Sequence, residues 1–333
     1  MQANPAISVV IPSYEHAAYI GECINSVLEQ SWQDFEIIIT DDGSSDNTVE
    51  KIRAFQDSRI QLSIFKENLG AAIATNHSIS RARGKYIAIL NSDDCFAPQK
   101  LATQVQFLQQ HPDIAAVFGW PALINEKGQP FEQNHHKDFE VFQVNNRPQS
   151  QWLRQFFDQG NCLCHPTVMI RKSCYEAVGL YDARLAQVPD LDMWVRLSMQ
   201  FQIYVLPEIF TYFRIRDNLQ NASARKFPVL VRDAWERRQI LRRFLQLSPE
   251  QCAEVFPEFS GRDQSSVAQF LGNRALKIGQ DTGLSFFQDF ALDALYDSLA
   301  PYPCAWENSD TRYRTFHQLT GNTDLYHIAS LLR

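Results

Sequence analysis

The sequence predicts an α/β protein: an open, mostly parallel sheet flanked by helices, followed by a helical C-terminal region. Short apolar, β-branched runs alternate with stretches of helical period over roughly the first 120 residues. Two of these runs empty directly into acidic clusters. Phe35-Glu36-Ile37-Ile38-Ile39-Thr40 leads into Asp41-Asp42-Gly43-Ser44-Ser45-Asp46, and Tyr86-Ile87-Ala88-Ile89-Leu90 leads into Asn91-Ser92-Asp93-Asp94. Apolar runs of this length are what strands buried on both faces look like. Carboxylates at their carboxyl ends fall in the crevice where open α/β sheets hold ligands. Two such ends side by side call for a divalent cation and a nucleotide to balance the charge.

Ile7–Ile11 reads as the first strand, stopped by Pro12. Ile20, Cys23, Ile24, Val27 and Leu28 recur at helical spacing. After the strand at Glu36–Thr40, Asp46 or Asn47 caps a helix running through Ala54. Ile60–Phe65 is a strand, Asn68-Leu69-Gly70 opens an Ala-rich helix, and Tyr86–Leu90 is the next strand. Pro98 opens a helix that runs to Gln110, and Ile114–Trp120 follows as a strand. From Asn125 to Gln149 the pattern breaks into loops or a hairpin, with His135-His136 read as solvated. A short helix at Ser150–Phe157, a strand at Thr167–Ile170, a helix after Arg171 and another from Asp190 restore order. Beyond Phe227 the chain reads as helices, strongest over Val229–Leu247. The division expected is residues 1–224 for the α/β domain and 225–333 for the helical region.

The composition excludes several classes. A net charge of −7 gives no global attraction to nucleic acid. No run approaches the roughly 20 apolar residues of a membrane span, and Met1-Gln2-Ala3-Asn4-Pro5 lacks the basic and apolar parts of a signal peptide. Seven cysteines at scattered spacings argue against a disulfide framework. A cytoplasmic protein is expected, with peripheral contact at the inner face of the membrane as a further option.

With these residues in place, the chain resembles the family-2 glycosyltransferases of the GT-A fold, whose nucleotide-binding half is Rossmann-like. The likeness runs from Ile7-Ser8-Val9-Val10-Ile11-Pro12-Ser13-Tyr14 through Ser26–Ser31, Asp41–Thr48, Asn68-Leu69-Gly70 with Asn76, and Asn91-Ser92-Asp93-Asp94. It ends with His165-Pro166-Thr167, Gly179–Asp182 and Asp190-Leu191-Asp192-Met193-Trp194. The order of these motifs over residues 7 to about 223 is more specific than any one of them. The resemblance implies an inverting transfer of sugar from a nucleotide-sugar, UDP- or dTDP-linked, to an acceptor hydroxyl with Mg2+ or Mn2+. It implies that Pro12 and Tyr14 line the base and that Asp42 accepts a hydrogen bond from it. Asp41 lies beside the same nucleotide, and Asn91 and Ser92 complete that site. Asp93 stands where the family's last metal-binding acid stands, and Asp190 at the catalytic base. Asp94 orients acceptor or sugar.

That chemistry needs these residue types. A pyrimidine N–H pairs with a carboxylate, and its face stacks on a tyrosine. Charge building on a departing diphosphate needs a Lewis acid, and a sugar hydroxyl needs a general base. Two positions depart from the family. Asn91 replaces the first acid of the Asp-x-Asp motif, keeping a hydrogen bond and losing a charge. Arg216, in Tyr212-Phe213-Arg214-Ile215-Arg216, stands where many members carry a histidine. Arginine is always protonated and cannot ligate a metal, but it can clamp a diphosphate with its forked donors. A weaker dependence on metal is expected.

Other features have plainer readings. Asp190 and Asp192 point in different directions on a helix, so Asp192 reads as structural. Trp194 reads as core rather than as a sugar platform. His165 is either an acceptor contact or a satisfied structural histidine, and Cys162-Leu163-Cys164-His165 lacks the spacing of a zinc site. The Arg232–Arg243 helix carries Arg232, Arg237, Arg238, Arg242 and Arg243, with Val231, Trp235, Leu241, Phe244 and Leu245 on its other side. It is a solvent-facing charged helix or one that rests on anionic lipid. The acceptor classes left open are saccharide, lipid-linked saccharide and protein. A relative that binds nucleotide-sugar or glycan without transfer is the alternative function. A sugar-nucleotide-forming nucleotidyltransferase is rejected, because Pro12-Ser13-Tyr14-Glu15-His16 replaces the Gly-rich basic loop it would need.

Overall fold

The computed structural model describes residues 4–130, 137–216, 221, 226–299 and 311–322. His135-His136 and the boundary expected at 224–225 lie outside them. The chain forms two compact units: Met1–Gln149 with Asn161–Lys226, and Ser150–Gly160 with Phe227–Arg333.

The first unit holds a mixed sheet. In chain order its elements are β1 (Ile7–Ser13), α1 (Ile20–Leu28), β2 (Phe35–Asp41), α2 (Thr48–Arg53), β3 (Ile60–Ile64), α3 (Ala71–Arg81), β4 (Tyr86–Ile89), β5 (Cys95–Phe96), α4 (Lys100–Gln110) and β6 (Ile114–Ile124). The chain then forms α5 (Gln149–Asp158), β7 (Met169–Arg171), α6 (Lys172–Val178), α7 (Pro189–Gln200) and β8 (Gln202–Arg214). The strand order is β3-β2-β1-β4-β7-β6-β8-β5. Strands β3, β2, β1 and β4 are parallel neighbours, as are β6 and β8. The short strands β7 and β5 run antiparallel to theirs. Ile7, Val9, Val10 and Ile11 of β1 are wholly buried, as are Ile37, Ile38 and Ile39 of β2. Each such side chain contributes about 1.5–3 kcal/mol of hydrophobic stabilisation.

The apolar runs therefore end where expected. β1 sits between β2 and β4, so the chain winds outward from β1 to β3 and then returns to the other side of β1. The gap between the carboxyl ends of β1 and β4 is the switch point where open sheets admit ligands.

The 13-residue strand β8 was not expected. Pro207 and Glu208 interrupt its apolar run, and a proline inside a run argues against a central strand. The structure accommodates them with register shifts against β6 near Phe118 and Trp120. One buried charge on the central strands is compensated locally. Glu36 accepts from Ser8 Oγ at 2.7 Å and from Arg83 N, Nε and Nη2 at 2.7, 2.8 and 2.6 Å. Burial pushes its carboxyl up, but these hydrogen bonds outweigh that and hold it below the usual range.

The second unit comprises α5, α8 (Phe227–Leu241), α9 (Pro249–Val255), α10 (Gln264–Thr282), α11 (Ser285–Asp297) and α12 (Thr311–Asn322). Phe157 of α5 packs its ring against Phe244, Phe256, Phe287 and Phe290. The arginines of α8 and the turn after it are not a free basic face. Arg237 pairs with Asp233 at 2.7 Å, and Arg238 and Arg242 pair with Asp293 at 2.7 and 3.1 Å. The apolar residues named with them do not share one face either: Val231 and Trp235 are exposed, while Leu241 and Phe244 are buried. Among the described residues no helix is long and apolar enough to cross a membrane.

Candidate active site

The acidic loop after β2 is held by its own first residues. Asp41 accepts from Ser44 N at 2.9 Å and Ser44 Oγ at 2.7 Å, closing a tight turn. Gly43 takes φ +77 there, and a Cβ on it would lie 2.7 Å from the Glu67 carbonyl carbon, so only glycine fits. Asp42, 2% exposed, accepts from Leu69 N and Gly70 N, both at 2.8 Å. It thus stitches this loop to the turn before α3. A carboxylate has about four acceptor positions, so two remain for a ligand.

The same loop shapes the segment after β1. Ser44 Oγ accepts from Glu15 N at 2.8 Å, Thr48 Oγ1 from His16 N at 3.0 Å, and Asp46 from Ala17 N at 3.1 Å. Glu15 is held at φ 51, a strained region for a non-glycine residue. Pro12 is half-buried and Tyr14 is 40% exposed at this rim. The Ser13 hydroxyl, at the end of β1, is buried without a hydrogen-bond partner among the described residues.

The second acidic turn, after β4, is more buried. Asp94 accepts from Arg214 N at 2.8 Å and from Asn91 Nδ2 at 2.9 Å. Burial and the neighbouring Asp93 charge push its carboxyl well above the usual range. Asn91, expected to face a ribose, thus already donates within its own turn. Arg214, fully buried, donates to Asp93 O at 2.7 Å, Asn125 O at 2.9 Å, Glu126 O at 3.0 Å and Glu22 Oε2 at 2.5 Å.

Asp93 itself meets two residues from other elements. His16 Nε2 lies 3.7 Å and Arg216 Nε 3.9 Å from Asp93 Oδ2. Arg216 Nη1 is 2.6 Å from His16 Nε2, and His16 Nδ1 is 2.7 Å from Ser92 Oγ. Burial, with help from Arg216, holds the His16 ring below its usual pKa against the pull of Asp93.

Asp190 stands in the first turn of α7, where the helix dipole favours a negative charge. Its carboxylate accepts from Asn161 Nδ2 at 2.7 Å and Leu191 N at 2.9 Å. Burial, and after it the charges of Asp94 and Asp190, push the Cys164 thiol well above its usual range. Asp192 turns away into an ion pair with Arg196 at 2.7 Å, and Trp194 is wholly buried edge-on to Phe118. His165 bonds Tyr181 Oη at 2.9 Å, and burial pushes it down to about 4, a neutral ring at physiological pH. The described cysteines are all free and buried.

Three residues that organise this region have no signal in their own sequence context: His16, Asn161 and Arg214. Each acts through a partner at least 29 positions away. Among the described residues no group of three or more His, Cys, Asp or Glu side chains is placed to hold a metal ion.

The sequence profile of Glycosyl transferase family 2 matches residues 8–179, just over half of the chain. The chain belongs to that family. This glycosyltransferase is 31% identical over 218 residues to the putative teichuronic acid biosynthesis glycosyltransferase TuaG of Bacillus subtilis, covering 65% of this chain and 81% of TuaG. Its fold is similar to that of S. aureus TarS 1–349 in complex with UDP-GlcNAc, with a TM-score of 0.61 and 19% identity. That match covers 88% of this chain and 80% of the TarS 1–349 chain. It is also similar in fold to mannosyltransferase PcManGT from Pyrobaculum calidifontis in complex with GDP-Man and Mn2+, with a TM-score of 0.55 and 16% identity over 96% and 81% of the two chains. The α/β sheet with helices is thus of the GT-A type.

Proposed function

We propose that this glycosyltransferase moves a sugar from a nucleoside diphosphate donor to an acceptor hydroxyl with inversion, by direct displacement. The observation that carries the reading is the convergence at the β1–β4 switch point. Asp41 and Asp42 end β2, the Ser92-Asp93 turn follows β4, and the Tyr14–His16 loop follows β1 between them. Tyr14 offers an exposed ring for the base, with Pro12 beside it. Asp42 keeps acceptor positions for a base N–H, and Asp41 holds that loop in shape. Asn91 and Ser92 border the ribose and Asp93 the diphosphate.

Asp190 takes the proton from the acceptor hydroxyl as the new bond to the anomeric carbon forms. Two hydrogen-bond donors hold its carboxylate oriented for that task, at a helix start where the dipole favours negative charge. Mg2+ or Mn2+, when bound at Asp93, would supply Lewis-acid neutralisation of the leaving diphosphate, from a single carboxylate oxygen beside an imidazole. The structural neighbours carry UDP-GlcNAc and GDP-Man, which supports a UDP- or GDP-linked donor beside the dTDP-linked one that the sequence resemblance allows, and the putative teichuronic acid relative supports polymer synthesis. A cell-surface polysaccharide or glycoconjugate acceptor fits, with Asp94 and His165 as the further contacts to diphosphate or acceptor.

The test is nucleotide release from a panel of UDP-, dTDP- and GDP-sugars, followed by product analysis for anomeric configuration. Release from none of them, or a product that retains configuration, would overturn the reading. Asn161 gives an independent check. Asn161→Ala should lower kcat on the order of 10- to 100-fold through a mis-set base, with KM for the donor unchanged. Loss of donor affinity with kcat intact would show Asn161 to be merely structural.

A further inference from the structure

The cluster around Asp93 fixes its own protonation pattern. A guanidinium has only donors, so the 2.6 Å contact between Arg216 Nη1 and His16 Nε2 makes Nε2 the acceptor. The ring proton then sits on Nδ1, donated to Ser92 Oγ at 2.7 Å. His16 is therefore a neutral bracket. One nitrogen anchors it to the residue next to Asp93, and the other holds the guanidinium beside the Asp93 carboxylate.

The other donors of this turn are engaged. Asp94 accepts from Arg214 N and Asn91 Nδ2, and Asn91 has given its amide to that bond. A hard divalent cation seeks about six oxygen ligands. Here it would find one carboxylate oxygen and an imidazole nitrogen already facing a fixed positive charge. Three separate elements, the loop after β1, the turn after β4 and the end of β8, thus bring a permanent cation to the switch point.

We infer that Arg216, seated on Asp93 by His16, is the built-in cation of the donor site: it neutralises the nucleotide diphosphate, so donor binding does not require a divalent metal. This rests on the nucleotide-sugar reading above. A fork of N–H donors suits the paired oxygens of a diphosphate. Its charge does not leave with the product, as that of a shared metal can.

The experiment is calorimetric titration of UDP, dTDP and GDP into the full chain, in EDTA and in Mn2+, for the parent, Arg216→Ala and Arg216→His. The parent should bind its preferred nucleotide with Kd changed by less than about threefold between the two buffers. Arg216→Ala should weaken binding in EDTA by about 10- to 100-fold. Arg216→His, which exchanges the permanent charge for a metal ligand, should recover affinity in Mn2+ alone. Parent binding that needs Mn2+, or Arg216→Ala binding as tightly as the parent in EDTA, overturns the inference and leaves the nucleotide-sugar reading standing. Parent binding to none of the three nucleotides in either buffer overturns both. The two-buffer comparison on the parent decides the matter even if a variant fails to fold.

Discussion

Asp190→Asn is expected to lower kcat by about 10²- to 10⁴-fold, the contribution typical of a positioned general base. Nucleotide affinity should stay within about twofold of the parent, since the change lies at the acceptor side of the reaction. The substitution keeps the size of the side chain and its place in the first turn of α7. It removes the charge and turns one of the two acceptor oxygens into a donor, which then opposes either Asn161 Nδ2 or Leu191 N. Steady-state kinetics beside a binding titration separate these effects. A variant that keeps more than about a tenth of the parent kcat would remove Asp190 from the role of base.

Arg214 is the residue whose loss should disturb the molecule most. It is wholly buried, and its guanidinium serves three backbone carbonyls as well as Glu22. Its face also lies 4.9 Å from the centre of the Tyr19 ring. Arg214→Met leaves those carbonyls with no donor, a loss of about 3–5 kcal/mol in urea denaturation. Arg214→Lys should recover little, because a point charge cannot reproduce a planar fork with several fixed donors. One of the bonds lost, from Nε to Asp93 O, holds the acidic turn, so nucleotide affinity should fall with stability. A destabilisation below about 1 kcal/mol would mean that water replaces the guanidinium at these carbonyls.

The parts of this molecule that sequence discloses are those whose signal is local. Strands β1, β2 and β4 announce themselves because burial on both faces demands an apolar run, and the acids that end them fall in the same short window. Asp42 and Asp93 stood out for that reason, Asp190 only through the family resemblance, and Asp192 and Trp194 could be set aside by helical spacing and size. Strand β8 was hidden because Pro207 and Glu208 sit at bulged positions that only its partner β6 reveals. The bracket on Asp93 was hidden for a different reason: His16 and Arg216 are 200 positions apart and meet only because β1 and β8 close on the same turn. Asn161 lies just past a short helix and has no periodic signal of its own, and only the fold brings it to Asp190.

The excursion of α5 into the helical unit has a consequence for how the protein can be taken apart. The chain leaves the sheet unit after Gln149, supplies Phe157 to an aromatic core otherwise made of C-terminal residues, and re-enters at Asn161. A shortened protein ending near Lys226 would leave the Phe157 ring without its four aromatic partners. Asn161, three residues beyond that helix, donates to Asp190. The catalytic half is therefore not a separable module. Cutting the chain there is expected to loosen α5 and, with it, the segment that carries Asn161.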